Sequence, residues 1–243
     1  MKYVVVGDIH GDYTALAQAL VRAEFEPQED VLITLGDIFD RGKENVKVFE
    51  FLRSLPHHVM IRGNHDIFLW DCLTSRRVTN VDDYNGTTNT IAEFAGMTAS
   101  EIRFNIPAYD KVNRQLTPWL MGESVWYYET PHYIFVHGRM PIDPQYNYIF
   151  TDLDKVEDWQ WYDACCGETP NFIDWMHSHL PSGCGKTIVF GHWGTFLLHQ
   201  KYNNVKDYHF GRWIDAQHGL IGLDTTTAWS HMIDPLVIPE EEI

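Results

Sequence analysis

Cysteine is scarce, with four residues in 243, and Cys72, Cys165, Cys166 and Cys184 include no CxxC pair of the kind that holds structural zinc. Adjacent Cys165 and Cys166 are badly placed to pair with each other, so reduced thiols and no disulfide framework are expected. Basic side chains are also few: 18 Lys and Arg stand against 34 Asp and Glu, a formal net charge of −16. That balance argues against broad binding to a nucleic-acid backbone, which needs clustered cations to displace counterions. No apolar run approaches the roughly 18 residues of a membrane helix. No Ser/Gly-rich or Pro-rich linker and no repeat with a period of about 20–50 residues divides the chain. One domain over residues 1–243, without membrane association, is therefore expected. Met1-Lys2-Tyr3 leads straight into a strand-like run, and on that reading no signal peptide and a cytoplasmic location are expected.

What the chain has is a series of short glycine-flanked motifs rich in Asp, His and Asn. In order they are GDIHG at Gly7 to Gly11, GDIFDRG at Gly36 to Gly42, GNHD at Gly63 to Asp66, His137-Gly138 and Gly191-His192. Each follows an apolar run: Val4-Val5-Val6, Val31 to Leu35, Val59-Met60-Ile61, Ile134-Phe135-Val136 and Ile188-Val189-Phe190. Runs of this kind bounded by Gly read as buried strands, which puts each polar motif just past a strand's carboxyl end. Open α/β sheets collect ligands at that edge.

Helical spacing follows the first three motifs. Leu16, Leu20, Ala23 and Phe25 predict a helix from Asp12 or Thr14 to about Glu24; Val46, Phe49 and Leu52 predict one from Asn45 to Leu55, stopped by Pro56; and Ile67, Leu69, Trp70 and Leu73 continue the pattern. Three β-α units in succession imply a parallel sheet with right-handed crossovers. Residues 78–130 break the rhythm, with Thr, Asn and Gly dominating Thr79 to Thr90 ahead of a helix-like run through Ile91, Phe94 and Met97. A partly helical insert overhanging the site is expected there. Pro141 to Gly185, rich in Asp, Tyr and Trp, reads as a long, weakly patterned connection of the kind that is often functional. Leu220–Leu223 and Met232–Ile238 read as two strands joined through Asp224 and Thr225-Thr226-Thr227, forming part of a second sheet stacked on the first.

Six side chains are then candidates to meet. Asp8 and His10 leave the first strand on alternate positions, Asp37 and Asn64 leave the second and third, and His137 and His192 arrive from later strands. Six oxygen and imidazole ligands suit two cations sharing a carboxylate, with Asp37 the natural bridge. Such a donor set, free of thiolate, favours manganese, iron or zinc. Two cations would clamp the oxygens of an in-line displacement and generate a bridging hydroxide near neutral pH, which is the chemistry of phosphoester hydrolysis. Arg41 and Arg62 flank motif residues and are candidates to hold phosphoryl oxygens. His65 is placed to protonate the leaving alkoxide, with Asp40 to orient it. Any one of these motifs alone would more often be a turn or a helix cap.

At these residues the chain resembles the calcineurin-like metallophosphoesterase superfamily and, within it, the phosphoprotein phosphatase family. GDIHG, GDIFDRG and RGNHD resemble that family's GDxHG, GDxxDRG and RGNHE/D, and the closing LDTTTAW adds a thinner likeness. The resemblance implies an α/β fold of two sandwiched sheets flanked by helices. It places Asp8, His10 and Asp37 on one metal and Asp37, Asn64, His137 and His192 on the other, with His65 and Asp40 as the proton-donating pair and Arg41 and Arg62 on phosphate. The chain departs from the pattern twice. Gly194 stands where many superfamily members carry the last His of GHxH, and no Arg occurs from Met140 to Gly211, where the phosphatases usually have a further phosphate-binding Arg. Arg139 is the candidate substitute.

The expected activity is that of a dinuclear-metal phosphoester hydrolase, foremost a serine/threonine phosphatase-like phosphomonoesterase. The alternative is a hydrolase of diadenosine tetraphosphate or another nucleotide, with Trp159, Trp161 and Trp193 as stacking surfaces. A silent scaffold that keeps its metals only for stability is the rival of another class, and the retention of His65, Asp40 and both arginines speaks against it. The expected partners are a phosphorylated protein or nucleotide.

Overall fold

A computed structural model describes residues 1–243. The chain opens with three strand–helix units: β1 (Lys2–Val6) and α1 (Tyr13–Arg22), β2 (Val31–Thr34) and α2 (Asn45–Ser54), β3 (His58–Met60) and α3 (Asn64–Ser75). Four helices follow, α4 (Asn80–Asn85), α5 (Thr87–Ala95), α6 (Ala99–Ile102) and α7 (Ile106–Leu120), then β4 (Tyr127–Glu129) and β5 (Tyr133–Val136). The remainder runs α8 (Asp158–Cys166), α9 (Thr169–His179), β6 (Thr187–Phe190), α10 (Thr195–Asn203), β7 (Trp213–Asp215), β8 (Leu220–Gly222), α11 (Thr227–Ser230) and β9 (Leu236–Pro239).

The strands form a four-stranded sheet, β3-β2-β1-β9, and a five-stranded sheet, β4-β5-β6-β8-β7. β1, β2 and β3 are parallel and β9 is antiparallel to β1; β5, β6 and β8 are parallel, with β4 and β7 antiparallel at the two edges. The continuous apolar runs follow from burial on both faces. In β1, Val4 and Val6 pack toward helices α1, α2, α3, α5 and α7, while Val5 joins Ile33, Leu35, Phe135, Val189, Leu223 and Ile238 between the sheets. Helices α8, α9 and α10 cover the other sheet around Phe172, Ile173, Ile188 and Phe190. The architecture is thus a two-sheet sandwich flanked by helices.

Local signals explain the first helices. Asp12 caps α1 by accepting the Ala15 N–H at 2.8 Å, with Leu16 and Leu20 one turn apart on the buried face, and Leu55 turns extended ahead of Pro56 to end α2. Four readings change. Asn64 does not trail from a strand but opens α3, so its side chain and that of His65 are fixed by the first helical turn. The insert is helical as expected, but helix begins at Asn80 rather than near Ile91, in two segments divided at Gly86 with φ 91°. The connection through 141–185 holds α8 and α9 rather than remaining unpatterned. The two C-terminal strands do not share a sheet: β8 lies inside the five-stranded sheet, and β9 crosses to pair with β1.

His58 gives the fold a pH dependence away from the site. Its Nε2 lies 3.0 Å from the Oγ1 of fully buried Thr34, and burial pushes the imidazole from 6.5 down to about 4. Above pH 6.5 the ring is neutral in both states and its contribution is complete; as pH falls toward 4 only the unfolded chain takes up the proton, and stability is lost. Wild type is expected to lose about 3 kcal/mol across that window relative to His58→Gln, which retains a partner for Thr34. Urea melts of both proteins at several pH values check this; parallel curves would remove His58 from the acid sensitivity.

Candidate active site

The motifs converge where the carboxyl ends of both sheets meet. Close approach of the second and third loops depends on glycine: Gly36 has φ 95°, and a Cβ on it would lie 2.5 Å from the Gly63 nitrogen, while one on Gly63 would lie 2.2 Å from the Asp37 nitrogen. Five site residues, His10, Asp37, Asp40, Arg41 and His192, also hold positive φ without being glycine. Such conformations persist only where surrounding structure over-determines them.

The donor atoms of His10, Asp37 and His65 lie within 4.8 Å of one another, as do those of Asp37, His137 and His192. Asp37 is common to both groups. Backbone carbonyls set the ring orientations: His137 Nδ1 is 2.7 Å from Leu35 O, and His10 Nδ1 is 3.1 Å from Phe39 O. With the ring proton donated there, His137 Nε2 presents a lone pair to Asn64 Oδ1 at 2.8 Å and Asp37 Oδ1 at 3.4 Å, and His10 Nε2 presents one to Asp37 Oδ2 at 3.7 Å. Lone pairs converging on one another in a buried space suit a cation.

Charge points the same way. Asp8, Asp37 and Asp224 are all buried; burial first, and then repulsion from its acidic neighbours, pushes Asp8 above the usual carboxylate range and Asp224 up to about 6. Burial would raise Asp37 too, but the imidazoles of His137, His65, His10 and His192 outweigh it and hold that carboxyl low. Burial lowers His10 and His192 to about 3 and lowers His137 as well, so these rings are neutral and ready to ligate near pH 7. Three buried carboxylates and neutral imidazoles fit a pair of divalent cations. Asp8 itself borders the cluster, its Oδ1 accepting the His192 N–H at 3.0 Å.

His65 behaves differently. Burial opposes its charge, yet the carboxylates of Asp37 and Asp40 prevail and raise it. Its Nδ1 lies 2.9 Å from Asp40 Oδ2, and Asp40 is in turn held by the hydroxyls of Thr87 at 2.6 Å and Thr90 at 2.7 Å, donated from α5. Arg41 reaches across the cluster, its Nη1 3.0 Å from His10 Nε2 and its Nη2 2.9 Å from His65 Nε2.

Two arginines fall outside this arrangement. Arg62 was expected on phosphate, but its donors go to Ser124 Oγ at 2.9 Å and to the carbonyls of Met121 and Ser124, each at 3.1 Å, with the guanidinium 4.5 Å over Trp126. The turn after α7 supplies enough acceptors to hold it there. Arg139 likewise directs its donors to Met140 O and Asp163 and packs against Gly167, away from the Asp37 groups. Four contributing residues were not anticipated. Asp66 accepts the N–H groups of Gly63, Asp37 and Ile38 at 2.8, 3.1 and 3.2 Å, and so ties the second motif loop to the third. Thr227 donates to Asp8 O at 2.6 Å. The α5 threonines anchor Asp40; the acidic residue ending GNHD was the available clue to Asp66, whereas nothing local marks Thr87 or Thr90.

Residues 1–216 match the calcineurin-like phosphoesterase family, and the chain belongs to that family. Over 72 residues it is 40% identical to serine/threonine-protein phosphatase 2 of Salmonella typhimurium, covering 30% of this chain and 33% of that protein. Over 144 residues it is 28% identical to the symmetrical bis(5'-nucleosyl)-tetraphosphatase of Coxiella burnetii, covering 59% of this chain and 43% of that protein. The chain therefore spans less than half the length of these curated relatives. The fold is similar to that of a cold-active protein-tyrosine phosphatase from a Shewanella species, with TM-score 0.56, 15% identity and coverage of 98% of this chain and 75% of that one. It is also similar to a protein serine/threonine phosphatase from Saccharomyces cerevisiae, with TM-score 0.53, 17% identity and coverage of 92% and 67%. No helix is long and apolar enough to cross a membrane.

Proposed function

We propose that this chain is a dinuclear-metal phosphoester hydrolase acting on phosphoserine or phosphothreonine monoesters. The observation that carries the reading is the pair of donor groups that share Asp37, one of which includes His65, itself paired with Asp40. Asp8, His10, Asp37, Asn64, His137 and His192 would hold the cations, with manganese favoured and iron or zinc also suited to the donors. When bound, the cations supply positive charge against phosphoryl oxygens and acidify the attacking water. Arg41 is the cation of this chain that reaches the cluster, and its fork binds phosphoryl oxygens in place of the imidazoles it now touches. Once Arg41 has turned from its Nε2 to phosphate, His65 holds a proton there for the departing alkoxide, while Nδ1–H donates to Asp40. None of these three is needed to hold metal, which argues against a silent scaffold.

The α5 threonines position that pair. Thr87→Val with Thr90→Val removes two hydrogen bonds to a buried charge, each worth roughly 1.5–3 kcal/mol. Turnover of alkyl phosphates is expected to fall at least about tenfold, since part of that energy orients Asp40 during proton transfer, with KM little changed. Thr87→Ser with Thr90→Ser, which retains the hydroxyls, should restore it. Steady-state kinetics on the two double variants check this, and an equal loss in both would assign the threonines to packing.

One observation favours the nucleotide reading. Phe196, Tyr208, Phe210 and Trp229 form a cluster with ring centroids 5.1–6.1 Å apart, in which Tyr208 and Trp229 are more than half exposed. Phe196 follows His192 by four residues and Trp229 follows Asp224 by five, so the cluster flanks the ligand-bearing edge and offers faces to a base. Of the tryptophans considered for this role, Trp161 is buried and stacked on Tyr127 at 4.9 Å, whereas Trp159 is exposed on α8. Phosphopeptides and dinucleoside polyphosphates assayed side by side on manganese-loaded protein separate the readings. Turnover of the dinucleotides alone would overturn the protein phosphatase reading.

A further inference from the structure

We propose that His177, Asp215 and His218 form a metal site separate from the Asp37 clusters, which takes a zinc-type transition-metal dication and ties α9 to the β7–β8 hairpin. His177 Nε2 and His218 Nδ1 each lie 2.7 Å from Asp215 Oδ2, and the donor atoms of the three side chains fall within 4.8 Å of one another. The three come from different places: His177 from the last turn of α9, Asp215 from the end of β7, and His218 from the turn before β8. Asp215 and His218 are three residues apart within the hairpin, and it is the arrival of His177 from α9 that makes the convergence a product of the tertiary fold.

The scaffold is built independently of any ion. Asp215 Oδ1 accepts the His218 N–H at 3.2 Å, which fixes the carboxylate plane and leaves Oδ2 for the two rings. The Tyr202 ring packs edge-on against His177 at 5.5 Å, and the two imidazoles lie 4.3 Å apart. Gly183 brings a loop so close to the turn that a Cβ there would lie 2.8 Å from His218 O. Side-chain exposures of 32% for His177, 15% for Asp215 and 11% for His218 leave an opening through which water can complete the coordination. With a cation in place of the ring protons that now bridge to Asp215, two imidazoles and a carboxylate with an open position suit zinc, cobalt or nickel better than magnesium or calcium.

Topology separates this site from the catalytic one. His192 and Asp224 follow the carboxyl ends of β6 and β8, whereas His177 precedes β6 and His218 precedes β8. At about 3.3 Å per residue, the length of β8 puts more than ~10 Å between the two.

The test is zinc binding by the full chain. A zinc-edge anomalous map of wild-type crystals soaked in Zn2+ should show a peak enclosed by the three side chains, and metal analysis should give one equivalent more for wild type than for His177→Gln with His218→Gln. Zinc affinity at this site should fall in that variant by at least the roughly tenfold that loss of even an outer-shell partner produces. Part of the zinc-induced rise in Tm should go with it, while hydrolysis under manganese stays unchanged. The wild-type map decides the matter even if the variant fails to fold. No peak among the three residues, or equal zinc content in wild type and a folded variant, would overturn the proposal.

Discussion

Replacing His65 by Asn is expected to lower kcat on alkyl phosphates by about 100- to 10,000-fold, and to slow p-nitrophenyl phosphate far less. The two substrates differ in how much their leaving oxygen needs a proton. An alkoxide must be protonated as it departs, whereas p-nitrophenolate leaves readily as the anion. At His65 the carboxylates of Asp37 and Asp40 outweigh the burial that keeps the His10 ring neutral, and so favour the charged imidazole. Asn preserves size and a hydrogen bond to Asp40 but holds no transferable proton. Kinetics on both substrates with metal content matched decide the point, and equal, negligible losses on the two would remove the acid assignment.

Asp37→Asn is expected to abolish hydrolysis and to reduce bound metal from two equivalents to less than one. The reason lies in its position: one carboxylate belongs to both donor groups, and its loss leaves each with a neutral amide where a shared charge stood. His192→Ala touches only the group formed with Asp37 and His137, and should lose a single equivalent. Metal analysis of the two variants after passage through a chelating column gives the comparison. If the Asp37 variant retains two equivalents, the carboxylate is not the bridge.

Much of this site could be read from the chain because its chemistry sits beside its strands. Val4-Val5-Val6 and Ile33-Thr34-Leu35 announce buried strands by composition, and the next polar residues, Asp8 and Asp37, inherit their position from the strand ends. Asn64 and His65 were legible for the same reason, although their place on the first turn of α3 was not. Less accessible were features that depend on partners far along the chain. Thr87 and Thr90 look like ordinary helix residues until α5 packs against the loop carrying Asp40, 47 and 50 positions earlier. Arg62 stands beside a motif in sequence, yet the carbonyls of Met121 and Ser124, about 60 residues away, claim its donors. Strand pairing failed similarly at the carboxyl terminus. β8 and β9 have comparable apolar patterns, and only the unpaired edge of β1 directs β9 into the other sheet.

Crystals grown with manganese and measured at the manganese edge provide the most direct check. The expected map has two anomalous peaks flanking the Asp37 carboxylate, one beside His10 and the other beside His137 and His192, whatever else binds elsewhere. A single peak, or peaks that leave Asp37 without a metal neighbour, would contradict the shared-carboxylate centre from which the hydrolytic reading is built.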